Sequence, residues 1–67
     1  MRNRLKDLRA ERGWTQEELG KRIGVSRQAV IAIESDKHDP SLDLAYRIAA
    51  LFGLSVEAVF DNPHRAA

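Results

Sequence analysis

When residues 26–35 are turned through about 100° each, Arg27, Gln28, Ile31, Ala32 and Ser35 point one way and Ala29, Val30 and Ile33 the other. The first set combines hydrogen-bond donors with small or apolar groups and contains no acid. The edges of DNA base pairs offer what such a surface can use: acceptors, amino groups and the thymine methyl. Gln28 can form a bidentate pair with adenine and Arg27 with guanine, each discriminating by about 1–3 kcal/mol. Arg27 could equally hold a phosphate, and the sequence leaves both roles open. Ile31 beside Gln28 could meet a thymine methyl, although a single exposed isoleucine is also ordinary on a protein surface.

The elements that must carry this face are helices. Apolar residues recur at spacings of three and four and no run alternates, so the chain reads as five helices without a strand. The first spans about Arg2–Arg12, has a narrow stripe at Leu5 and Leu8, and stops at Gly13. The second begins at a capping box, Thr15 with Glu18 three residues on, and Trp14 can staple to Leu19. Leu19 and Ile23 form its inner stripe, Gly20 permits a close contact, and Gly24 ends it in the left-handed conformation. Ser26 caps the third helix, with Val25 placed to staple to Val30. Ser35–Pro40 reads as a loop. Ser41 caps a fourth helix with Ala45, Ile48, Ala49 and Phe52 inside, closed by Gly53. Ser55 caps a short fifth helix, Leu54 staples to Val59, and residues 61–67 form a flexible tail.

A chain of 67 residues makes one domain, 1–67, near the lower size at which a core can sustain a fold. With 43% hydrophobic and 31% charged residues it is globular rather than disordered. The absence of cysteine leaves no disulfide or thiolate zinc site and fits a reducing cytoplasm. The start, MRNRLKDLRAERG, is too charged for a signal peptide. The most apolar stretch, Leu44 to Phe60, is broken by Arg47 and Glu57 and is short for a membrane span. A soluble cytoplasmic protein without membrane contact is expected. Net charge is only +1, but residues 1–37 hold nine Lys and Arg against six Asp and Glu, a balance of +3. Residues 38–67 hold two against four, a balance of −2. The basic half contains the candidate reading helix, as a phosphate-facing surface requires; a solvated helix surface gives similar counts.

The pattern W-T-Q-E-E-L-G-x-x-I-G-V-S-R-Q-A-V-x-x-I-E, followed by P-S-L-D-L-A and F-G-L-S-V-E-A-V-F, resembles the Cro/CI-type helix-turn-helix regulators, also called the XRE family. The likeness runs from about residue 5 to residue 60, with the helix-turn-helix at about 15–35. It implies an all-α fold, a compact five-helix bundle of the lambda-repressor-like DNA-binding type, in the form of the minimal single-domain regulators. It further implies a homodimer on double-stranded operator DNA, with the second helix over the backbone and the third in the major groove. By the resemblance, Ser26, Arg27, Gln28 and Ala32 occupy groove-facing positions, and Gln16 binds a phosphate or braces a neighbouring side chain. Lys37 matches a backbone contact after the recognition helix, and Arg9 pairs with Glu34 to brace the scaffold. Many relatives have Asn-Gly where this chain has Ser35-Asp36, and Asp36 adopts the left-handed conformation less easily than glycine. By family habit the dimer surface lies near the fourth and fifth helices, where Leu54, Val56 and Phe60 are candidates for it or for the core.

Other functions fit poorly. His38 and His64 have no further ligand at metal-like spacing, so neither a metal nor a cofactor is expected. Asp39, Asp43 and Asp61 are scattered, and nothing pairs a nucleophile with a base, so no enzyme and no small-molecule effector is expected. Trp14 could stack on a base, but its stapling position favours partial core packing. The expected function is a sequence-specific transcriptional regulator, a repressor, reading a short palindromic operator. One alternative is the antitoxin of a toxin pair, against which only residues 62–67 extend past the fold to grip a partner. The other is an architectural protein that binds DNA without sequence preference and with steep salt dependence.

Overall fold

Four of the helices start where a hydroxyl replaces a missing backbone partner. Thr15 Oγ1 accepts from the Glu18 N–H at 3.0 Å and Ser26 Oγ from Ala29 at 3.1 Å. Ser41 Oγ accepts from Leu44 at 3.1 Å and Ser55 Oγ from Ala58 at 3.2 Å. Each satisfies one of the donors that a helix start leaves free, a contribution of about 1 kcal/mol apiece. Among the described residues only the threonine half of the expected capping box forms, and the Glu18 side chain faces solvent. The computed structural model describes residues 1–64; part of the expected tail, 65–67, lies outside them.

The elements are α1 (Leu5–Glu11), α2 (Gln16–Ile23), α3 (Arg27–Glu34), α4 (Leu42–Phe52) and α5 (Val56–Val59). The helix over Arg2–Arg12 therefore starts later than its sequence pattern suggests. Residues 2–4 are drawn into a long-range pairing instead. Asn3 and Phe60 form an isolated antiparallel bridge, Arg4 N–H donates to the Val59 carbonyl at 2.9 Å, and Asp61 N–H to the Arg2 carbonyl at 2.8 Å. The same pairing holds Asp61, the first residue of the expected tail.

The inner stripes of the helices meet in one core: Leu5 and Leu8 from α1, Leu19 and Ile23 from α2, Val30 and Ile33 from α3. Beneath them lie Leu44, Ala45, Ile48, Ala49 and Phe52 from α4, with Val59 and Phe60. Burying a side chain of this size is worth about 1.5–3 kcal/mol. Phe60 is only 2% exposed, which removes it from the surface residues considered for a dimer contact. The pairing of Asn3 over its backbone is what carries it inward. Val56 is half-buried against the core, and Leu54 stands 37% exposed.

The join between α2 and α3 sets the angle of the third helix. Gly24 ends α2 at φ 77°, a conformation that an L side chain adopts only with strain. Arg47 reaches over from α4 and donates through Nη1 to the Ile23 carbonyl at 2.8 Å, meeting an acceptor left free at the end of α2. Its Nε bonds Asp43 at 3.0 Å, one helical turn back. At Gly20 the close approach is to this same join, for a Cβ there would stand 2.7 Å from the Val25 carbonyl oxygen.

Candidate nucleic-acid interface

Helix α3 packs through Val30 and Ile33, both 1% exposed or less, and this fixes its opposite side outward. Arg27 and Gln28 are exposed in its first turn, which contains no acid. Ser26 is exposed just before them, its oxygen engaged as the cap and its O–H still able to donate. Ile31 and Ala32 are half-buried rather than fully outward, and Ile31 lies where the face turns toward α1 and the start of α2. Ser35 Oγ donates to the Ala32 carbonyl at 3.3 Å, and Lys37 is exposed in the turn beyond. The eight expected contact residues thus lie along α3, its two ends and the start of α2, with Arg27 and Gln28 exposed donors on the helix itself.

The inner end of α3 is tied to α1 and α2 through one carboxylate. Arg9 Nε donates to Glu34 Oε2 at 2.7 Å and Arg9 Nη2 to Glu34 Oε1 at 3.2 Å, a two-pronged pair. The side chains are 16% and 5% exposed. The remaining Arg9 nitrogen, Nη1, bonds the Trp14 carbonyl at 2.9 Å. The hydrogen bond to Glu34 first, and then its charge, hold the Arg9 guanidinium above its ordinary pKa despite desolvation. Gln16 joins the same carboxylate, with Nε2 3.2 Å from Glu34 Oε1. Of its two expected roles, the bracing one is therefore visible in the geometry.

This network also governs the local field. Glu34 alone would place a bare negative charge at the C-terminal end of α3, and Arg9 neutralises it. Lys6, on α1, lines the same shallow depression as Gln16, Ile31 and Ser35. It enters none of the ion pairs among the described residues, which join Met1 to Asp39, Arg9 to Glu34, Lys21 to Glu17 and Arg47 to Asp43. The sequence pattern alone does not single out Lys6. The available signal was its place on the same side of α1 as Arg9, three residues away. A second depression, between Arg9, Thr15, Gln16, Glu17 and Arg27, opens at the start of α2, where backbone N–H groups favour an anion.

Trp14 takes the structural option. Its ring lies 5.7 Å from that of Phe52, and the Arg22 guanidinium sits 4.1 Å over its other side. Among the described residues no three His, Cys, Asp or Glu side chains converge as a metal site, and no helix is long and apolar enough to cross a membrane.

Two capped helices joined at a left-handed glycine, the second presenting free donors, define a helix-turn-helix domain. The chain belongs to the helix-turn-helix family, whose model matches residues 5–59, and is a DNA-binding transcriptional regulator of the Cro/CI (XRE) type. It is 55% identical over 60 residues to an HTH-type transcriptional regulator of Methanocaldococcus jannaschii, covering 90% of this chain and 91% of that protein. It is 36% identical over 56 residues to the immunity repressor protein of Bacillus phage phi105, covering 84% of this chain but only 39% of the repressor. Among solved structures it is similar to the N-terminal DNA-binding domain of SinR from Bacillus subtilis, with a TM-score of 0.76 and 28% identity. That match covers 92% of this chain and 91% of that domain. In the SinR/SinI complex the likeness has a TM-score of 0.77 and 29% identity, covering 91% of this chain and 60% of that one.

Proposed function

We propose that the protein is a homodimeric repressor that reads a short two-fold symmetric operator, with α3 in the major groove. The observation that carries this reading is the accessible pair Arg27 and Gln28, on a helix whose far side is locked into the core and whose own carboxylate is neutralised. Gln28 is assigned to a base edge and Ile31 with Ala32 to thymine methyls, while Gln16, Ser26 and Lys37 meet the backbone. The likeness to a phage immunity repressor supports repression rather than activation.

A module 35 Å in its longest dimension reaches few base pairs, so useful specificity calls for a second copy. Two copies related by a two-fold axis would place their recognition helices about 34–36 Å apart, one turn of DNA. Leu54 and the half-buried Val56 support a contact beside α5, and Leu42 and Tyr46 add exposed apolar surface on α4, at 68% and 61%. Selection of bound sequences from random duplexes at physiological salt tests the whole reading. A two-fold symmetric consensus is expected; bound sequences with no bases in common would contradict it.

A further inference from the structure

Asn3 joins three parts of the fold. Its Nδ2 donates to the Ile33 carbonyl at 2.8 Å and shares its other hydrogen between Asp36 Oδ1 and the Met1 carbonyl, both at 3.3 Å, while its Oδ1 accepts from the Leu5 N–H at 3.1 Å. Its backbone pairs with Phe60 on the other side. One amide side chain thus links the start of α1 to the end of α3 and to the turn that follows.

That turn needs holding. Asp36 has φ 63° and is the only non-glycine residue at positive φ among the described residues. The left-handed conformation crowds the Cβ of an L residue, which is why glycine suits such positions better. Beyond it, the N–H groups of Lys37 and His38 both reach back to the Ala32 carbonyl, at 3.0 and 3.2 Å. The conformation of Asp36 therefore sets where Lys37 leaves the helix. The bond from Asn3 also draws the Asp36 carboxylate toward the N-terminal segment, where it repels a nearby phosphate less than a freely swinging acid would.

We propose that Asn3 is a positioning residue for DNA binding: it fixes the left-handed turn after α3 and thereby sets Lys37 against the DNA backbone. The inference rests on the reading of α3 and its turn as the DNA-facing side.

The test uses the full chain, the operator obtained by selection, and Kd measured across a range of salt at a temperature where circular dichroism shows every variant folded. Lys37→Ala should reduce the salt slope by about 0.9 per copy, the signature of one lost phosphate contact. Asn3→Ala should raise Kd about fivefold, about 1 kcal/mol, and also shrink the slope. In the Lys37→Ala background Asn3→Ala should add little. Adding Asp36→Gly to Asn3→Ala should restore binding, because glycine takes this φ unaided. If Asn3→Ala fails to fold, Asn3→Ser, which keeps an acceptor for Leu5, serves in the same comparison. A lower unfolding midpoint with Kd and slope unchanged would show Asn3 to be structural only and overturn the proposal, as would additive effects of Asn3 and Lys37. An active Lys37→Ala beside a silent Asn3→Ala leaves the functional reading standing, whereas a wild-type chain that selects no operator removes both.

Discussion

At its C-terminal end α3 is bonded by Arg9, Gln16 and Asn3, whereas at its N-terminal end Arg27 and Gln28 stand in solvent. The two ends are only one eight-residue helix apart and share the same inner packing through Val30 and Ile33. Polar side chains at one end thus hold the helix still, and those at the other are left without protein partners. A reading surface needs both. Donors meet base edges in a reproducible register only if the helix behind them is fixed, and they discriminate only if no protein partner competes for them.

Removing the anchor should have the largest effect. Arg9→Ala leaves Glu34, 5% exposed, without its charge partner, and breaking such a pair costs about 3–5 kcal/mol. That is of the same order as the whole stability of a domain this small. Urea titration followed by circular dichroism should show a markedly lower midpoint; an unchanged midpoint would mean that the pair does not secure α3. A smaller effect is expected at the free end. Ser26→Ala removes the N-cap of α3 and should lower stability by about 1 kcal/mol, with Ser26→Asn largely sparing it because asparagine caps equally well. Thermal unfolding of the three proteins separates these outcomes, and equal melting temperatures would show that the cap contributes nothing.

How far each end could be read in the sequence follows from the range of the interactions involved. The caps Thr15, Ser26, Ser41 and Ser55 act within three residues, and all four were legible. So were the inner stripes, since helical periodicity alone sorts Val30 and Ile33 from Arg27 and Gln28. What was not legible involves partners far along the chain. Residues 2–4 look helical by local pattern and stay outside α1 because residues 59–61 lie beside them. The same pairing buries Phe60, which by itself could be core or interface. The long-range role of Asn3 has no local signature, as the Ile33 and Asp36 acceptors lie 30 and 33 residues away. Helical periodicity places Ile31 and Ala32 away from Val30 and Ile33, but their partial burial is a tertiary effect that the periodicity does not carry.

In the proposed division of labour the free end of α3 reads bases while its surroundings hold the DNA backbone. Selection from random duplexes, run in parallel on the wild-type chain, Gln28→Ala and Gln16→Ala, tests it most directly. Gln28 is exposed and outside the core, so its removal should leave stability within about 0.5 kcal/mol. Gln28→Ala should relax one base position in each half-site by about 1–3 kcal/mol of discrimination, while Gln16→Ala should weaken all sequences alike. A Gln28→Ala consensus identical to that of the wild type would contradict it.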